Sequence, residues 1–270
     1  MADAKALRRE IGRELEKMQF AAGIPSNEIR ILKICGSTRT YGRLIKGERT
    51  NLTYPVIAAL CDLFKAPPAK KFELQALWDV LDSTSFADSA DAWIKAGFSP
   101  YLGFERIAVR QDMHELVYVP GLFQTERYMR RLHGRNGRLS RTEANDLVKL
   151  RLQRQQDFED RGEPAVEIRA LLHEGVLRAG CDEEQIGRLL ALDERPNIAI
   201  SFLPLEDGPH PNLSASFTLF SFLSDKDPDV VYLPAPGESR FAESARTVRA
   251  CQDAFESGFQ QAKSIRELNR

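Results

Sequence analysis

Residues 23–49 read GIPSNEIRILKICGSTRTYGRLIKGER. The spacing predicts two short helices joined by a turn, the second opening at Ser37. A serine in that position caps a helix by accepting from the free N–H groups of its first turn. Residues 38–46 follow as helix, and Gly47 closes it with a left-handed turn that only glycine adopts cheaply. On a 3.6-residue wheel Tyr41, Leu44 and Ile45 share one side, the spacing of a buried stripe. Arg39, Gly42, Arg43 and Lys46 take the other side, with Thr38 next to them. From Arg30 to Arg49 there are six basic residues, Arg30, Lys33, Arg39, Arg43, Lys46 and Arg49, against one acid, Glu48. The 270-residue chain has a net charge of −1, so this excess is a patch. A short helix with a cationic face and hydroxyls at its N-terminal end suits a major groove, where side chains reach base edges and cations meet phosphates. The plainer reading is a solvated charged face.

Outward from that stretch the composition is that of an ordinary globular chain, 43% hydrophobic and 29% charged. The length allows one large or two moderate cores. Cys35, Cys61, Cys181 and Cys251 are far apart and form no CxxC, which argues for free thiols in a reducing compartment. A charged N-terminus without an apolar core is no signal peptide, and no apolar run approaches the roughly 20 residues of a membrane span. The expected location is the cytoplasm.

Before the opening stretch, Leu7, Ile11, Leu15 and Met18 mark a first helix ended by Gly23. In the second helix Ile29, Leu32 and Ile34 are the expected apolar face. After Thr53, a fourth helix carries Val56, Ala59, Leu60 and Leu63, with Pro55 early, where its missing N–H costs little. Phe72 to Leu81 reads as a fifth helix. Asp82 to Asp91, rich in Ser, Asp and Ala, reads as a linker. Tyr101 to Arg131 reads as helical with a break at Pro120-Gly121, and Thr125 caps its last part. Ser140 caps a long charged helix to about Arg161, and Asp182 caps another over residues 183–192. Strand signals cover residues 165–173, 197–205, 214–223 and 229–236. A closing helix is expected over residues 238–267. The fold class is therefore α+β: an all-α N-terminal bundle of about five helices, then a larger domain with a small sheet and a long C-terminal helix. The expected boundaries are 1–82 for the bundle, 83–100 for the linker and 101–270 for the second domain.

Several residues together carry a family resemblance. In the first third they are Gly12, Leu15, Ala21-Ala22-Gly23, Ser37, Arg43-Leu44 and Gly47. Beyond it they are Glu105, the run Val119-Pro120-Gly121-Leu122-Phe123-Gln124-Thr125 with Tyr128, Arg151, Arg154-Gln155, His173-Glu174, Leu177-Arg178, Phe202-Leu203-Pro204, Gly208, His210 and Phe217. The N-terminal third resembles the XRE-type helix–turn–helix domain. The remainder resembles the C-terminal domain that accompanies it in many actinobacterial regulators. The resemblance implies a transcriptional regulator that binds double-stranded operator DNA, with a second domain that senses a signal or binds a small acidic partner protein. A homodimer is the expected assembly.

On that reading the DNA-binding candidates are Thr38, Arg39, Thr40, Gly42, Arg43, Lys46 and Arg49. The first three are candidates for bases or nearby phosphates. Arg43, Lys46 and Arg49 are phosphate candidates, and Gly42 admits the backbone close to DNA. No cofactor and no catalytic residue is expected. His114, His133, His173 and His210 are scattered without metal-ligand spacing, so no metal is expected, and a structural role for His173 is favoured. No phosphate loop, dinucleotide fingerprint or nucleophile elbow occurs. Trp93, Phe98 and Tyr101 suggest core or hinge packing between the domains. Two alternatives stay open: a protein-interaction or antitoxin-like module whose helix–turn–helix has lost DNA, and an enzyme with a dispersed site.

Overall fold

A computed structural model of the chain describes residues 5–68, 70–71, 74–75, 77–78, 100–135, 140–161, 165–210, 213–223, 228–235 and 239–268. Residues 83–99 of the expected linker, with Trp93 and Phe98, lie outside the described residues, as does most of the expected fifth helix; the last residue expected in the linker, Pro100, begins a helix. Of the expected fifth helix, Leu74 and Leu77 are described and buried.

In the N-terminal head the elements described in full are α1 (Lys5–Ala21), α2 (Ile29–Cys35), α3 (Thr38–Ile45) and α4 (Tyr54–Leu63). Leu7, Ile11 and Leu15 form the buried stripe of α1, as their spacing predicts. Two stripes are rotated from expectation. In α2 the buried residues are Ile31 and Cys35, while Ile29 is 62% exposed. Apolar residues at 29, 31, 32 and 34 cover every side of so short a helix, so periodicity cannot choose a face. In α4 the buried residues are Ile57, Leu60 and Cys61, followed by Phe64, rather than Val56 and Leu63. Gly12 lets α1 and α3 touch backbone to backbone, because a Cβ there would stand 2.3 Å from the Ile45 carbonyl oxygen. Gly47 has φ 68°, and a Cβ on it would stand 2.5 Å from Arg9 Cγ.

The rest, the body, is built from α5 (Pro100–Ile107), β1 (Arg110–Glu115), α6 (Glu126–Gly134), α7 (Arg141–Glu159), β2 (Glu167–His173), α8 (Glu174–Gly180), α9 (Glu183–Asp193), β3 (Ile198–Leu203), β4 (Phe217–Ser221), β5 (Val230–Leu233), β6 (Arg240–Ala242), α10 (Ala245–Gln261) and β7 (Lys263–Ser264). The α+β class holds, but the expected small sheet does not. The body carries one mixed sheet of seven strands, ordered β6-β5-β4-β1-β2-β3-β7. Strands β1, β2 and β3 run parallel, and the others join antiparallel at the flanks.

The largest error concerns β1, at the centre of the sheet, in a segment expected to be helical. Its sequence, RQDMHE, has no β-branched or aromatic residue. Propensity therefore does not mark it, and its neighbours on both sides hold it in the sheet. The closing helix is also shorter than expected, because β6 and β7 take its two ends.

Alternation along the strands splits the core. Leu171, Phe217, Leu219 and Val231 face α10 and pack on Phe255. On the opposite face, Met113, Ile168, Ala170, Ile200 and Phe202 pack under Leu122, Phe123 and Tyr128. The β4–β6 half of the sheet contributes Phe220, Val230 and Phe241 to a third cluster. That cluster continues through Phe104 of α5 into Leu7, Ile11 and Leu15 of the head. Head and sheet thus share one apolar core, with α5 between them.

Candidate nucleic-acid interface

Ser37 is extended and its hydroxyl accepts from the Thr40 N–H at 3.0 Å, the cap its position predicts. This sets the phase of α3. Tyr41 and Leu44 turn inward, with the Tyr41 hydroxyl donating to Gln19 Oε1 at 2.6 Å. Thr38, Arg39, Arg43, Lys46 and Arg49 are exposed. Gly42 is half-buried and has open space where a Cβ would stand, so it keeps that side of α3 low.

The candidates differ in how they are held. Thr40 is half-buried and its hydroxyl bonds that of Ser37 at 2.9 Å, so it serves the helix start as well as the surface. Arg43 pairs with Glu48 at 3.2 Å and donates to the Arg49 carbonyl. Arg39 and Lys46 make no hydrogen bond or ion pair with any described residue and project into solvent. Lys33 of α2 is exposed too and widens the basic surface.

In the body, the 119–125 run is bound into place by buried amides. Gln124 donates to the Val119 carbonyl at 2.7 Å. Gln155 Nε2 donates to the carbonyls of Gly121 and Gln124, both at 2.9 Å. Gln185, fully buried, accepts from the Thr125 N–H and donates to the Phe123 carbonyl, each at 2.8 Å. Thr125 caps α6 by accepting from the Tyr128 N–H at 3.2 Å. The run is therefore a structural joint between α6, α7 and α9.

Two ion clusters flank the sheet. Toward α10, Arg169 bonds both carboxylate oxygens of Asp112 at 2.7 and 2.9 Å and stacks on Phe255 and Phe259. Toward α5, Arg154 Nε donates to Glu105 Oε1 at 2.6 Å and Nη2 to Oε2, and its guanidinium lies over the Tyr101 ring.

A family model described as Domain of unknown function (DUF5753) matches residues 98–267. The chain belongs to the DUF5753 family. No curated protein and no solved structure matches it. The matched segment begins just before α5 and runs through β7, so the DUF5753 region contains the whole sheet and both ion clusters, and the head lies outside it.

Within the DUF5753 region His173 ends β2 and caps α8, its Nδ1 accepting from the Gly175 N–H at 3.2 Å. That is the structural role favoured for it. His114 is fully buried, which lowers its pKa and keeps it neutral. Among the described residues, no three or more His, Cys, Asp or Glu side chains are placed to hold a metal ion. All four cysteines are free thiols, and burial raises their pKa values. A raised pKa keeps thiols protonated and unreactive. No described helix is long and apolar enough to cross a membrane.

Glu115, at the end of β1, has a pH signature. Burial raises its carboxyl from 4.5 to about 7, opposed only by a hydrogen bond from Ser216. The folded state holds this proton to higher pH than the unfolded chain does. The resulting stability is complete below about pH 4.5 and is lost as pH rises through about 7. Glu115→Gln is expected to melt higher than the parent at pH 8, by on the order of 2 kcal/mol. The two should converge below pH 5, and melts across that range check it.

Proposed function

We propose that this chain is a DNA-binding transcriptional regulator that places α3 in the major groove. The observation that carries this reading is the division of α3 into a buried Tyr41–Leu44 side and an exposed side bearing Thr38, Arg39, Arg43 and Lys46, with Arg49 beyond it. Cations presented on a capped, rigid helix neutralise phosphates, and the short side chains near Ser37 leave room for base edges. A homodimer would set two such heads on half-sites about 10 bp apart, or multiples of that. The DUF5753 body then serves as the part that receives a signal or a small acidic partner protein. A chain with this role works in the cytoplasm, without cofactor or catalysis.

A gel shift on the DNA upstream of its own coding region, repeated at several salt concentrations, tests the reading. Arg39→Ala and Lys46→Ala are each expected to weaken binding at all sequences and to reduce the slope of log K against log salt by about one. Arg43→Ala should do less on the slope, since its charge is already shared with Glu48. Binding that ignores all three changes would remove α3 from the interface. The same Arg43–Glu48 pairing favours a second reading, a protein-interaction module whose head no longer grips DNA. Absence of any salt-dependent shift would select it.

A further inference from the structure

Two arginines of α7 meet beside one carboxylate. Arg151 and Arg154 lie one turn apart on α7, and both aim Nη1 at Gly121. A Cβ on Gly121 would stand 2.7 Å from Arg151 Nη1 and 3.0 Å from Arg154 Nη1, so the two guanidinium groups sit side by side in the space glycine leaves. Glu105 engages Nε and Nη2 of Arg154, and the Tyr101 hydroxyl also bonds that guanidinium. Arg151 makes no hydrogen bond or ion pair with any described residue. Burial and the Arg154 charge push its pKa down to about 10. His133 of α6 adds a second unsatisfied group. Its Nε2 is buried without a hydrogen-bond partner among the described residues, and its pKa is lowered by burial and by Arg151. A half-buried guanidinium that shares one carboxylate with its neighbour, and a buried ring nitrogen left without a hydrogen bond, are both costly. One group that offsets both costs is an anion with several acceptor oxygens, since guanidinium forks and imidazole N–H donors match such oxygens.

We propose that Arg151 and Arg154, side by side over Gly121, form with His133 of α6 a binding site for a small oxyanion, a carboxylate or a phosphate group. The site is independent of DNA binding by the head. Glu105 tunes it by neutralising one of its two arginines. The anion completes the charge balance of the region between α5, α6 and α7.

Thermal unfolding of the full chain tests this, in chloride buffer of constant ionic strength titrated with sodium phosphate in one arm and sodium acetate in the other. The expected result is a saturable rise in Tm in at least one arm, and the arm identifies the anion class. Arg151→Met should show no such rise, and without added anion should melt no lower than the parent, because it removes an unpaired cation. No saturable rise in either arm, or an equal rise in Arg151→Met, overturns the site. Should Arg151→Met fail to fold, calorimetric titration of Arg151→Lys and His133→Phe with the same anions decides. At least tenfold weaker binding in each supports the site, and unchanged affinity overturns it.

Discussion

Gly12→Ala is expected to unfold the head at temperatures where the parent is intact. In an isolated helix the change would stabilise by about 1 kcal/mol, since alanine is the better helix former. Here the added Cβ would stand 2.3 Å from the Ile45 oxygen, 2.8 Å from the Ile45 carbonyl carbon and 2.8 Å from the Leu44 oxygen. All three are backbone atoms, so no rotamer change relieves the overlap and α3 must move away from α1. Overpacking of this kind costs about 3 kcal/mol, which in a chain of this size lowers Tm by on the order of 10 °C. The displacement also carries Tyr41 and Leu44 out of the core they share with Leu15, so DNA binding should fall together with stability. Circular dichroism melts beside the gel shift check both. A melt equal to the parent's would mean the two helices do not cross at Gly12.

Glu105→Ala should be the most damaging single change in the body. Glu105 is 6% exposed and is the bonded counter-ion of Arg154, and its charge also acts on the neighbouring Arg151, which makes no ion pair with any described residue. Its loss removes the carboxylate that Arg154 bonds and that also acts on Arg151, and breaking a buried pair from one side costs about 3–5 kcal/mol. Restoring neutrality is the control. Glu105→Ala with Arg154→Met should recover most of the loss, which denaturant titration of the four proteins of the cycle would measure. Additive losses would show that the pair contributes nothing as a pair.

What the residue pattern reveals here follows the range of the forces involved. Caps act over three residues, and Ser37, Thr125, Ser140 and Asp182 are each found capping the helix their position predicts. Strands β2 to β5 are rich in Ile, Val, Leu and Phe and can be read in the same way. Strand β1 is hidden because Asp112 and His114 are placed by partners on β2, more than fifty residues away in sequence: Arg169 for the first, the Leu171 carbonyl for the second. The phase of α2 is hidden because only contact with its neighbours distinguishes Ile31 from Ile29. The α3 surface was legible, since its residues are consecutive. The meeting of Gly121 with Arg151 and Arg154 was not, since it joins segments about 30 residues apart that only the folded chain brings together.

The position of β1 also bears on how the chain matures during synthesis. Its residues 110–115 pair on one side with 167–172 and on the other with 217–221. A ribosome must therefore add about a hundred further residues before the second edge of β1 is covered. The head depends mainly on near contacts and can form early, as low-separation structures do. Its seat on Phe220 and Phe241 is made of residues that emerge much later. A nascent chain would thus carry a finished head on an unfinished mount, and stalling before residue 217 would leave a sticky, half-paired strand for chaperones to shield.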